Sequence, residues 1–236
     1  MKILVTFAVR SETGNWQGPS KYVDDIRIIR TGIGMRRPED ELRQALAGSV
    51  DLCIASGLAG SLTDQYPVGS VVVARGIKSE GSKTIVSCDG GLVDAAVRCG
   101  AQPVDFFYTS SGIANSVVER ACLAGTADAV DMESFHVLSE AQRAEVPAVA
   151  IRAISDCPSR KLPFDFTRMV TCNGQVAWQQ MITELVKHPG RFPAFVRFSI
   201  DSLAAIRNLT TFLDRYVSFL GTNETSFRTP AEHISR

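Results

Sequence analysis

Three short segments of this 236-residue chain carry groups suited to chemistry on a small ligand. Val130-Asp131-Met132-Glu133-Ser134 stands where a strand pattern hands over to a helix pattern, which puts Glu133 in the first helical turn. A carboxylate there is favoured by the helix dipole, and it can also accept two charge-assisted hydrogen bonds from a ribose diol. Arg152-Ala153-Ile154-Ser155-Asp156 ends the most apolar strand, at the sheet edge where α/β proteins collect ligands. Asp156 either shapes a turn before Pro158 or acts as a general acid. A purine leaves poorly as an anion and well once N7 is protonated or hydrogen-bonded, a task for an aspartate whose pKa is raised by burial. Ala55-Ser56-Gly57-Leu58-Ala59-Gly60-Ser61 follows the strand Asp51-Leu52-Cys53-Ile54. Its small residues let backbone approach a ligand and its amides can cradle an anion or an activated water; the plainer reading is a tight strand-exit turn.

The elements that must position these groups alternate along the chain. Short Val/Ile-rich runs predict strands over 2–9, 26–31, 51–56, 69–76, 83–87, 104–109, 127–131 and 147–153. Longer periodic patterns predict helices over 38–48, 91–99, 115–123, 133–145 and 169–187. The alternation implies an α/β fold, and strands that are apolar throughout imply a sheet covered on both faces. His188-Pro189-Gly190-Arg191-Phe192-Pro193 breaks the pattern. Residues 193–220 then read as one long helix with an apolar stripe, followed by a polar tail. The chain thus divides into a catalytic domain, 1–187, and a C-terminal helical extension, 188–236. The stripe packs on its own domain or a sister subunit, or it lies on a membrane surface aided by Arg191, Arg197, Arg207 and Arg215, with Asp201 and Asp214 offsetting them.

Composition narrows the classes. Hydrophobic residues make up 45% of the chain, enough for a proper core, and 25 basic residues balance 25 acidic ones, so no net field draws in a nucleic acid. The six cysteines form no Cys-x-x-Cys and there are three histidines, so neither a metal site nor a disulfide framework is expected. The cysteines read as small buried hydrophobes of a reducing compartment. Met1–Val9 reads as a buried strand rather than a signal peptide, which gives a cytoplasmic expectation.

The segments Ser56-Gly57-Leu58-Ala59-Gly60, Val130-Asp131-Met132-Glu133-Ser134 and Arg152-Ala153-Ile154-Ser155-Asp156, in this order, resemble the nucleoside phosphorylase and nucleosidase superfamily. Thr31-Gly32-Ile33-Gly34 and Val68-Gly69-Ser70-Val71-Val72-Val73 add to the likeness, which runs from Met1 to about Lys187. It is nearest in character to the methylthioadenosine/S-adenosylhomocysteine nucleosidases. Leu162-Pro163-Phe164-Asp165-Phe166 and the Pro-Gly-Arg-Phe-Pro turn are similar to the branch that includes adenosylhopane nucleosidases. The resemblance implies a three-layer α/β/α fold around a mixed, partly barrel-like sheet. It implies that Glu12 activates the attacking water, that Met132 and Glu133 hold the ribose, and that Ser155 orients Asp156 to protonate N7. Val130 and Asp131 join Ser155 on the base side, and Ser56, Gly57 and Leu58 line the water or phosphate pocket. No metal or cofactor is implied, and a homo-oligomer is.

The expected reaction is therefore cleavage of the N-glycosidic bond of an adenosine-type purine nucleoside, by hydrolysis. Phosphorolytic relatives hold phosphate with an arginine where this chain has Ala55, and both branches usually place serine where it has Leu58. Losing that arginine weakens a dianion site, although Arg10, Arg30 and Arg160 leave phosphorolysis, with phosphate as co-substrate, as the alternative. A non-catalytic nucleoside-binding protein is a remoter one. A dinucleotide-binding oxidoreductase fits poorly, since neither Gly32-x-Gly34 nor Gly57-x-x-Gly60 completes Gly-x-Gly-x-x-Gly.

Overall fold

The computed structural model describes residues 1–14, 16–19, 25–33, 39–112, 117–159, 183 and 187–223. The helix expected over 169–187 and the 162–166 segment lie essentially outside the described residues. In chain order the elements are β1 (Lys2–Phe7), α1 (Arg10–Thr13), β2 (Asp25–Arg30), α2 (Glu39–Leu46), β3 (Leu52–Ser61) and β4 (Val71–Ser79). They continue with β5 (Val86–Ser87), α3 (Gly90–Arg98), β6 (Gln102–Thr109), α4 (Val117–Ala124), β7 (Ala129–Asp131), α5 (Ser134–Arg143), β8 (Ala148–Asp156) and α6 (Phe192–Thr222).

The α/β class and the mixed, partly barrel-like sheet are as expected. β3 pairs in parallel with β8, β8 antiparallel with β4, β4 in parallel with β6, β6 in parallel with β7, and β7 antiparallel with β3. These five strands form a closed circuit. β1 and β2 extend in parallel from the first half of β3 as an open wing. β8 is buried along its whole length, as its apolar sequence demands of a strand in the middle of such a circuit.

One expectation is corrected. Residues 55–61 are not a strand-exit turn: β3 continues through them to Ser61. β8 supplies a ladder partner from Cys53 as far as Gly60, and β7 takes over at Gly60 and Ser61. Small residues here mark close side-chain approach from the neighbouring strands, not a change of chain direction. The β3–β8 register shifts between Ala59 and Gly60, so that Gly60 faces Asp156 and Ser155 is skipped.

α6 shares this core. Leu209, Phe212, Leu213, Tyr216, Val217 and Leu220 are buried in the same cluster as the strands, and Tyr216 Oη donates to the Leu92 carbonyl at 2.9 Å. Asp214 of α6 accepts the indole N–H of Trp16 at 2.6 Å, and Trp16 meets Phe7 edge-on, which ties the segment after α1 to the C-terminal helix. Cys53, Cys88 and Cys99 are buried as expected, and burial pushes the Cys53 thiol up to about 12; Cys122 is exposed and Cys157 half-buried.

Candidate active site

Two polar clusters sit along the β3–β8 pair. The first is built around Arg152, the largest fully buried side chain among the described residues. Its Nε donates to Asp131 Oδ2 at 2.9 Å, and its Nη2 donates to Ser134 Oγ at 2.9 Å. Nη2 also lies 2.8 Å from Asp131 Oδ2 and 3.7 Å from Glu133 Oε2. Burial alone would lower the arginine's pKa; Asp131, Glu133 and Glu12 outweigh it, so the guanidinium is held charged.

Glu12 reaches this cluster from α1, the short helix that follows β1. Its Oε2 accepts from the backbone N–H of Ala8 (3.0 Å) and Val9 (3.4 Å), in the manner of the third residue of a capping box. Its Oε1 accepts from the Leu58 N–H at 3.2 Å, so one carboxylate joins α1 to β3. Burial raises its pKa above the ordinary 4.5, with Arg152 and the three amides pulling the other way.

Gly57 is the point of contact. A Cβ built there would stand 2.3 Å from Arg152 Nη1 and 3.2 and 3.3 Å from the Glu12 carboxylate oxygens, and its φ of +152° disfavours any side chain. Arg152 Nη1, at this point of contact, is buried without a hydrogen-bond partner, an orphaned polar atom on the side of Gly57 that Glu12 also approaches; Ser56 Oγ on the same strand is likewise buried without one. Gly57→Ala therefore displaces the guanidinium or the strand. We expect it to lower the melting temperature by several degrees, from about 1–3 kcal/mol of strain and overpacking, and to remove activity. A thermal melt and a turnover assay check both.

The second cluster surrounds Asp156. Ser155 Oγ lies 2.6 Å from Asp156 Oδ1 and 3.3 Å from the Ala59 carbonyl. Arg120, buried on α4, ion-pairs through Nη1 with Asp156 Oδ2 and donates to the Cys157 carbonyl at 3.0 Å. A Cβ on Gly60 would meet Asp156 Oδ2 at 3.2 Å, Val130 Cγ1 at 3.4 Å and Arg120 Nη2 at 3.5 Å, so the bare glycine leaves room in front of the pair. The two clusters are four residues apart on β8, about 13 Å along an extended strand.

The structure thus brings Glu12 to Gly57 and Leu58 and, across Arg152, to Glu133, and Asp156 to Ser155 and Val130; Ser56 is placed beside Gly57 on β3 but not against Glu12. Asp131, expected on the base side, stands with Arg152 instead: its Oδ1 accepts from Thr109 Oγ1 at 2.6 Å and its Oδ2 from the Ser134 N–H at 3.3 Å, besides Arg152. Glu133 occupies the N-cap of α5 rather than its first turn and makes no capping bond. Met132 is half-buried between these two carboxylates in sequence. Arg10 is exposed, Arg30 ends β2, and Arg160 lies outside the described residues.

Two residues at the centre of these clusters had no role in the sequence reading. Arg152 was detectable as the one charge inside the apolar run from Ala148 to Ile154, a costly placement unless partners wait for it. Arg120 carries no such signal: it is one charged residue in an ordinary helix, and only the packing of α4 delivers it to Asp156.

The fold these strands make is shared with solved nucleosidases. Among solved structures, 5′-methylthioadenosine/S-adenosylhomocysteine nucleosidase from Helicobacter pylori superposes with a TM-score of 0.65 at 17% identity, over 92% of this chain and 97% of that one. Futalosine hydrolase of the same organism gives 0.64 at 17%, over 92% and 98%. The methylthioadenosine/S-adenosylhomocysteine nucleosidase of S. pneumoniae gives 0.66 at 16%, over 93% and 100%. No protein-family model and no curated protein matches the sequence.

Proposed function

We propose that this protein hydrolyses the N-glycosidic bond of an adenosine-type purine nucleoside, with Glu12 as the base for water and Asp156 as the acid at the purine. Residues 1–187 are the catalytic unit in this reading and 188–236 its C-terminal extension. The observation that carries it is the Glu12 carboxylate. It takes the amides of Ala8, Val9 and Leu58, the backbone donors that would otherwise suit a bound anion, and it lies against Gly57 beside the orphaned Nη1 of Arg152. A phosphate dianion there would face Glu12 and Glu133, whereas a water can donate to Glu12 and accept from Arg152.

In the reaction Glu12 takes a proton from that water as its oxygen attacks C1′. The C1′–N9 bond breaks, its electron pair passes to the base, and Asp156 supplies a proton at N7. Glu133, at the edge of the first cluster, holds the ribose hydroxyls and faces the positive charge developing on the sugar. Asp131 and Ser134 keep Arg152 in place. Ser155 and Arg120 steady the Asp156 carboxylate once its proton has gone.

The test is incubation with methylthioadenosine, S-adenosylhomocysteine, adenosine and inosine, with and without phosphate, followed by chromatography. Free base and free sugar without phosphate are expected. A strict phosphate requirement would make the enzyme a phosphorylase, a reading favoured by the buried Nε of Arg30, which has no hydrogen-bond partner. Binding without turnover would make the protein a sensor. Because Glu12 must be ionised to accept a proton and its pKa is raised, kcat should fall on the acid side through a limb lying above pH 4.5. Glu12→Gln should lower kcat by at least about 10²-fold at every pH and leave no such limb.

A further inference from the structure

Seven large hydrophobic side chains stand exposed among the described residues, and four of them, Phe192, Val196, Ile200 and Leu203, occupy the first three turns of α6. They are 57%, 37%, 60% and 66% exposed. At 3.6 residues per turn they fall within an arc of about 80°, turned away from the Leu209–Leu220 face that enters the core. α6 is therefore amphipathic twice over: its second half buries one stripe against the sheet, while its first half presents another to the outside. An isolated exposed leucine needs no explanation; four large apolar groups in one line do.

The charges around this line decide what it faces. Arg207 continues the stripe one turn beyond Leu203, Arg197 borders it and Arg191 immediately precedes the helix; all three are exposed. Asp201, the one acidic residue between 191 and 207, lies about 140° round the helix from the centre of the stripe. Asp214, further along, is already engaged by Trp16. A second copy pairing stripe to stripe would bring arginines against arginines. Apolar groups flanked by long cationic side chains that can reach outward instead suit an anionic lipid surface, with the guanidinium groups at the phosphates and the stripe among the upper acyl chains. No helix among the described residues is long and apolar enough to cross a membrane, so the contact is one in which α6 lies flat.

We propose that the Phe192–Leu203 face of α6 is a peripheral membrane contact that selects anionic bilayers. This inference stands apart from the catalytic reading, since none of its residues belongs to either polar cluster. The test is co-sedimentation of the full-length protein with phosphatidylcholine vesicles, with and without phosphatidylserine. Binding to the anionic vesicles is expected, weakened by added salt. Arg197→Gln/Arg207→Gln and, separately, Ile200→Gln/Leu203→Gln should each reduce it by about ten-fold or more, with circular dichroism unchanged. Three results would overturn the proposal: no binding to anionic vesicles, equal binding by both variants and the parent chain, or a concentration-dependent dimer in analytical ultracentrifugation that Ile200→Gln/Leu203→Gln abolishes. The last would assign the face to a second copy.

Discussion

Asp156→Asn should lower the rate of purine release by about 10²–10⁴-fold, the range a positioned general acid supplies, while the protein still folds. The amide retains the shape of the carboxyl. Its oxygen can still accept from Ser155 or Arg120, and Arg120 keeps the Cys157 carbonyl as an acceptor, so the second cluster loses a charge but not its packing. What the variant cannot do is give a proton to N7. The companion change Arg120→Gln separates the two parts of the pair. Removing the guanidinium takes away the group that pairs with the Asp156 carboxylate, so kcat should fall with KM little changed. A purely structural role for Arg120 would lower stability and leave kcat of the folded protein in place. Asp156→Asn with kcat close to the parent value would end the acid assignment.

Arg152→Met should be the most destabilising single change in the molecule. Glu12, Asp131 and Glu133 converge on this one guanidinium, and taking it away leaves three carboxyl groups buried together. Breaking a buried charge pair typically costs about 3–5 kcal/mol, which for a chain of this size is a drop of roughly 6–20 °C in melting temperature. The loss should depend on pH in a definite direction. Without the arginine the folded-state pKa of Glu12, already raised by burial, rises further, so the variant keeps its stability at acid pH and loses it as pH rises through that value. Arg152→Lys, which restores charge without the planar fork, should recover part of the stability and little of the activity. Melting curves between acid and neutral pH check this; a variant that melts like the parent at neutral pH would show that the three carboxylates do not depend on Arg152.

Much of the candidate site was legible along the chain because its polar groups are concentrated at strand ends. Glu133 follows β7, Ser155 and Asp156 end β8, and Gly57 and Gly60 stand out as small residues beside a strong strand. Boundaries were less legible where a partner strand decided them. Residues 55–61 have the composition of a turn, and they remain in β3 because β8 and β7 offer hydrogen bonds over that length. Asp131 shows the same limit at the level of a side chain: its place beside Val130 suggests the base, but the strand alternates its side chains and Asp131 turns to Arg152.

The amino-acid sequence alone determined the α/β alternation, the kinds of acid and base present, and the long amphipathic helix near the C-terminus, because each of these depends on residue type and local period. The closed circuit of β3, β8, β4, β6 and β7, the meeting of Glu12 with Leu58 across 46 positions, and the arrival of Arg120 at Asp156 were decided by tertiary structure. Those contacts join distant parts of the chain. Buried charges choose their partners by geometry and desolvation once the backbone is in place, and no local spacing records that choice.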